Sequence, residues 1–442
     1  MKGRSSAGYL GSAWLAAALL VSGCAPSSSS PVLASHTLRQ AYSAHDSVTA
    51  PSVLDSLFHP EWPQPYRDPA HTGYSAVEKT LNRANVGSLT ELWSFATGGQ
   101  ITSPIIYQRG GVFFTSGDGY LYSINEYNGT LRWKYQTYEG VGPQNAPAFV
   151  GDYLVVPCMV ADKSQQNGIC DVKFWTGKRV WSYYINCHCD PPASVTAGAV
   201  VAGYTIVFDY TSGGTDGSHV VALNARGSVL WTSPTLPPAP VFSESAVYQG
   251  QVFYSDGNGV CAASLATGAQ IWCTDLGSNT SISVSKGIVY VNTLSNGVFA
   301  LNASTGSQLW QFTPTAGNSS GYYDPPAISD RVYVSGIGSG GNLYALNPST
   351  GAQMFNTSGD GSTATTDSPP SVANGVVYSQ CQSGLCAYNS ATGALLFAAA
   401  SSPSQNVPPV IVKGVVYTTC GTNDICAYAL PTGMHSRHGQ TP

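Results

Sequence analysis

One phrase recurs along this chain: a short apolar strand, a turn closing on Gly, and a second strand ending on Trp or Phe. It reads LYSINEYNGTLRW from Leu121 to Trp133, VVALNARGSVLW from Val220 to Trp231, VFALNASTGSQLW from Val298 to Trp310 and LYALNPSTGAQMF from Leu343 to Phe355. The closing aromatics are Trp93, Trp133, Trp181, Trp231, Trp272, Trp310, Phe355 and Phe397, at steps of 40, 48, 50, 41, 38, 45 and 42 residues. A period near 40 to 45 with several strands per unit marks an all-β chain of propeller blades.

Each unit divides into an inner strand after a polar or Pro-containing step, as in Asp324-Pro325-Pro326-Ala327-Ile328, then a Gly-Val-Val-Tyr-like strand such as Gly375 to Tyr378, then a hairpin. The hairpin turns on Gly129, Gly177, Gly227, Gly268, Gly306, Gly351, Gly393 and Gly433, because a tight turn places a residue at positive φ. The last unit, Asn406 to Gly433, has no outer strand, while Leu89 to Thr97 is an outer strand with no hairpin before it. The expectation is an eight-bladed β-propeller whose ring is closed by that N-terminal outer strand, so that no blade edge stays open. Seven blades with one irregular unit is the alternative, since the units ending at Trp181 and Trp231 carry insertions. The aromatics are expected to pack between neighbouring blades.

The amino end reads as an export signal over 1–24: Lys2 and Arg4 precede an apolar run from Ala13 to Val21, and Val21-Ser22-Gly23-Cys24 resembles the lipobox of bacterial lipoproteins. That resemblance implies lipidation of Cys24 and a place in the bacterial cell envelope, anchored on the extracytoplasmic side of a membrane. Residues 25–60, opening on Ser27 to Ser30, read as a tether, 61–433 as the propeller and 434–442 as a polar tail. Removing Cys24 from 11 cysteines leaves an even number, as an oxidising compartment favours. Cys158 with Cys170, Cys261 with Cys273, Cys381 with Cys386 and Cys420 with Cys426 are spaced to face each other across hairpins. Cys187 and Cys189 flank His188 and precede Asp190; a local disulfide or pairing elsewhere is expected over a metal site.

Charged residues are 9% of the chain, against about a quarter in ordinary globular proteins, so the surface is mostly neutral polar. A net charge of -5 without a basic run gives no footprint for nucleic acid. Few Lys and Arg also limit positive self-repulsion once carboxylates protonate, which suits acidic surroundings.

The repeat Leu-Tyr-Ala-Leu-Asn-x-x-Thr-Gly-x-x-x-Trp/Phe resembles the pyrroloquinoline quinone (PQQ) repeat, and Trp62-Pro63-Gln64-Pro65-Tyr66-Arg67-Asp68-Pro69-Ala70-His71-Thr72-Gly73-Tyr74 resembles the lead-in before its first blade. The resemblance implies one of two roles. Quinoprotein dehydrogenases hold PQQ and calcium at the ring axis with Glu, Asn and Asp and a disulfide of adjacent cysteines. Lipid-anchored, non-catalytic propellers include the scaffold subunit of the outer-membrane β-barrel assembly machine. This chain shares the lipobox and size of the second branch, and its Cys187-His188-Cys189 spacing departs from adjacent cysteines.

Polar residues at inner-strand starts are Ser103, Asn145, Ser194, Glu244, Ser281, Asp324, Asp367 and Asn406. Of these, Asn145, Glu244, Asp324 and Asp367 offer the hard oxygen ligands calcium prefers and form the candidate channel site. No haem-attachment motif is present. The expectation is a cofactor-free binding scaffold with a protein partner or small ligand; PQQ and calcium belong to the alternative, an alcohol or sugar dehydrogenase.

Overall fold

The computed structural model describes residues 61–138, 146–160, 166–184, 195–201, 204–209, 219–234, 245–277, 280–293, 295–314, 325–337, 342–357, 368–381, 384–400 and 407–431. The signal and tether (1–24 and 25–60), the polar tail (434–442), Cys24, Cys187, Cys189 and Gly433 lie outside them.

Seven sheets are each built from four strands consecutive in the chain, over 106–136, 148–184, 195–232, 246–275, 280–312, 327–356 and 371–398. We number these blades 1 to 7. Within a blade, each strand pairs antiparallel with the next, from inner to second, third and outer. One further sheet is composite: Val410–Val412, Val415–Thr419 and Asp424–Ala429 take Thr90–Ala96 as outer strand, with Thr90 opposite Ala429 and Ala96 opposite Asp424. The expected count of eight blades is therefore corrected: seven sheets, not eight, are blades in their own right. The last repeat contributes only three strands, and its sheet is a seam completed from the other end of the propeller domain. Blade 7 also gains a fifth strand, Tyr74–Ser75, parallel to its inner strand.

The two faces of the ring differ in kind. In five sheets the inner and second strands are joined by two-residue turns in which both residues have positive φ: Arg109 and Gly110 (45° and 76°), Gln249 and Gly250 (46° and 79°), Lys286 and Gly287 (51° and 77°), Asn374 and Gly375 (44° and 81°), Lys413 and Gly414 (53° and 77°). These are type I′ turns, whose twist matches that of the strands they join. Glu126 of a third-to-outer turn donates its N–H to Gly110, so both sets of short turns share one face, the turn face. The links from each outer strand to the next blade's inner strand start from the opposite end, the loop face.

Blades are locked by the closing aromatics. The ring of each Trp lies over the turn Gly of the following blade, and a Cβ on Gly351 (φ +69) would meet the Trp310 ring at 2.6 Å. The indole N–H groups of Trp93, Trp133, Trp181, Trp231, Trp272 and Trp310 donate to Glu126, Phe174, Ala225, Leu265, Ala303 and Pro348 carbonyls at 2.8 to 3.0 Å. Each ring thus buries its apolar body and satisfies its polar edge in one contact. Immediately before each aromatic the outer strand bulges, leaving Leu92, Arg132, Val180, Leu230, Ile271, Leu309, Met354 and Leu396 without a ladder partner. A bulge in every outer strand interrupts the exposed edge that would otherwise template strand addition.

Among the described residues, four disulfides have formed as the spacing predicts: Cys158 with Cys170, Cys261 with Cys273, Cys381 with Cys386, and Cys420 with Cys426. Among the described residues no helix is long and apolar enough to cross a membrane.

Candidate functional site

The lead-in threads round the inner edge of the ring. Its carbonyls accept N–H bonds from one inner strand after another: Trp62 from Tyr107 of blade 1 (2.8 Å), Pro63 from Phe149 of blade 2 (2.8 Å), Pro69 from Val247 of blade 4 (2.6 Å), Ala70 from Val284 of blade 5 (2.8 Å), Thr72 from Ile328 of blade 6 (2.8 Å) and Gly73 from Val372 of blade 7 (2.8 Å). Glu78 then accepts from Gly414 of the seam sheet at 2.9 Å. Among the described residues the segment visits these sheets in ring order, a strap laid along the inner strands. It answers the edge problem of a propeller, whose innermost strands each present unpaired N–H and C=O groups. Pro63, Pro65 and Pro69 suit it, because proline favours extended chain and leaves the carbonyl free to accept.

The strap is fixed by its own side chains. Trp62 is fully buried; Asp68 accepts from Thr72 Oγ1 and from the N–H of Ala70 and Thr72 at 3.1 Å, folding the segment on itself. His71 is buried, its ring edge-on to Tyr66 and its Nδ1 3.2 Å from the Ile282 carbonyl. Burial pushes the imidazole down to about 4, against the opposing pull of that carbonyl, so it is neutral at pH 7. Ser283 Oγ bridges the His71 and Pro326 carbonyls at 2.8 and 2.7 Å. Gly73, at φ +59, passes so close to blades 6 and 7 that a Cβ would meet Pro370 O at 3.1 Å and Ala327 Cβ at 3.2 Å.

Of the polar residues at inner-strand starts, Ser103 and Ser281 lie among the described residues, and both are buried. Ser103 Oγ donates to Pro104 O at 2.9 Å and accepts from Thr115 N at 3.2 Å, which are bonds within its own blade. Asn145, Ser194, Glu244, Asp324, Asp367 and Asn406 lie outside the described residues. By sequence they belong to the loop-face links, three to five residues before the strap-bonded positions Phe149, Val247, Ile328 and Val372 in the case of Asn145, Glu244, Asp324 and Asp367. The ligand types suit calcium.

Outside the strap, two further groups with displaced protonation, Tyr107 and Asp171, are buried against neighbouring strands. At the seam, Tyr107 donates to Glu126, Lys413 Nζ donates to Tyr107 Oη at 2.8 Å, and the Tyr107 ring stacks on Tyr417 at 5.9 Å. Burial and the Glu126 carboxylate push the Tyr107 phenol far up. Asp171 was not singled out from sequence. It is 2% exposed, with Oδ1 lacking a hydrogen-bond partner, and burial pushes its carboxyl up to about 8. Its position, opposite the closing aromatic on the third strand, is Ala in six units (Ala222, Ala262, Ala300, Ala345, Ala387, Ala427) and Ser123 in another. Aligning the repeats by that position is the signal that finds it.

The family profile described as outer membrane protein assembly factor BamB matches residues 84–187 and 298–436, more than half of the chain. No curated protein sequence matches. Among solved structures, the chain is similar to the quinohemoprotein alcohol dehydrogenase ADHIIG of Pseudomonas putida HK5 (TM-score 0.69, 14% identity, 89% of this chain and 84% of that one). It is also similar to quinohemoprotein alcohol dehydrogenase from Comamonas testosteroni (TM-score 0.69, 15% identity, 91% and 85%) and to BamB from Moraxella catarrhalis (TM-score 0.56, 14% identity, 77% and 99%). At these identities the likenesses establish the fold alone. The profile match, resting on the same repeats that dock Trp onto Gly, places the chain in the outer membrane protein assembly factor BamB family of PQQ-like β-propellers.

Proposed function

We propose that this chain is a non-catalytic binding scaffold of the bacterial cell envelope, lipid-anchored through Cys24, which engages a protein partner through its loop face. The asymmetry of the ring carries this reading. One face carries the inner-to-second and third-to-outer turns with the strap behind them, and the outer strands end towards the other, where the links between blades start. Binding residues concentrate on loops held by a rigid scaffold. Membership of the BamB family supports an interaction role.

The quinoprotein reading is favoured by one observation, the higher TM-scores to the two alcohol dehydrogenases. Under it Asn145, Glu244, Asp324 and Asp367 would hold calcium beside PQQ, whose quinone would take up the substrate's electrons. Calorimetric titration of the chain from Pro51 onward with PQQ, with and without calcium, separates the two. The scaffold reading predicts no heat and no thermal shift. Calcium-dependent binding at micromolar affinity, about -8 kcal/mol, would overturn it.

A further inference from the structure

We propose that Cys261 and Cys273, once reduced by a dithiol, form with Asp256 a thiolate and carboxylate site for a borderline divalent cation such as zinc. The two cysteines face each other directly across the third and outer strands of blade 4, joined in a disulfide. In the other three bridges among the described residues, Cys158, Cys170, Cys381, Cys386 and Cys426 are fully buried and Cys420 is half-buried, whereas Cys273 is exposed on an outer strand at the edge of its sheet. An exposed disulfide is the one a soluble thiol reaches.

Asp256 is already set for the role. In the turn between the second and third strands, its Oδ1 accepts from the N–H of Asn258 at 3.0 Å and of Gly259 at 2.8 Å, which leaves Oδ2 facing Cys261 Sγ at 3.6 Å. The carboxylate oxygen and both sulfurs lie within 4.8 Å of one another. Two thiolates and a carboxylate are a ligand set for zinc, with water free to complete four-coordination.

The chemistry balances with the dithiol as reductant. Its thiolate attacks the exposed Cys273 sulfur, forming a mixed disulfide and expelling Cys261 as thiolate. The reagent's second thiol then displaces Cys273 and the reagent leaves as a disulfide, two electrons having passed to the protein. Cation binding holds both cysteines as thiolates and releases their protons to solvent. Oxidation reverses the sequence and expels the metal, so the site couples cation binding to redox state.

The test is limited reduction of the full chain with dithiothreitol, followed by alkylation, peptide mapping and zinc titration. Cys261 and Cys273 are expected to be alkylated before the other bridged cysteines. One zinc per chain should protect both, and cadmium in its place should give a thiolate charge-transfer band. Asp256→Asn keeps an oxygen for the two backbone bonds and removes the charge, and should weaken zinc binding by more than the roughly tenfold lost with an outer-shell partner. Earlier reduction of another bridge, no protection by zinc, full affinity in Asp256→Asn, or zinc retained at the same stoichiometry in Cys273→Ser would overturn the proposal.

Discussion

Two buried residues give the protein opposing responses to pH. Asp171 titrates near 8 when folded and near 4 when unfolded. Below about pH 4 it is protonated in both states; as pH rises towards 8 the unfolded chain ionises first, so stability is lost. His71 works the other way. Its folded value near 4 lies below the unfolded 6.5, so stability is lost as pH falls from about 6.5 to 4. Together they predict partial cancellation between pH 4 and 6.5 and a decline from there to pH 8, consistent with the sparse basic composition. Asp171→Ala installs the residue of six sister positions. It should raise stability at pH 8 by at least about 1.4 kcal/mol, one unit's worth of shift, and remove the decline. Urea unfolding across pH checks this; an unchanged slope between 6.5 and 8 would show that Asp171 is not the titrating group.

At the scale of elements, the strand Thr90–Ala96 and the strap hold the ring together. The strand pairs along its length with Asp424–Ala429, and Trp93 docks on blade 1, joining the seam sheet to its neighbour. Deleting 89–97 should uncover a sheet edge and the seam core around Trp62, Val112 and Tyr417, and the product should aggregate. A monomeric, stable product by light scattering and thermal melt would contradict this account of closure. The missing outer strand of the last repeat was legible in sequence because Met434 to Arg437 carries no apolar strand, and Leu89 to Thr97 had no other place to pair. The strap was not legible. Its bonds run from main-chain carbonyls to inner-strand N–H groups, and such contacts leave no side-chain pattern beyond the prolines. The blade count was misjudged for a different reason: the pairing of Leu89 to Thr97 with the last unit was foreseen, but the shared sheet was counted as an eighth blade, whereas seven blades are contiguous and the shared sheet is the seam between them.

For the whole molecule, regular repeats yield a directional object. Trp-on-Gly docking repeats around the ring, but strap and short turns lie towards one face while the links between blades leave from the other. The candidate ligands Asn145, Glu244, Asp324 and Asp367 were read from sequence as polar strand-start residues and lie outside the described residues. What they bind depends on how distant links meet, which single-chain spacing does not encode. The central claim is that the loop face is the working face. It is tested most directly by placing a photo-crosslinking residue at Ser295 or Thr422 in the loop-face turns, and at Gln249 or Lys286 in the turn-face turns, all four exposed. Irradiation of whole cells should give discrete protein adducts from Ser295 or Thr422 and none from Gln249 and Lys286; adducts confined to the turn-face positions would contradict the account.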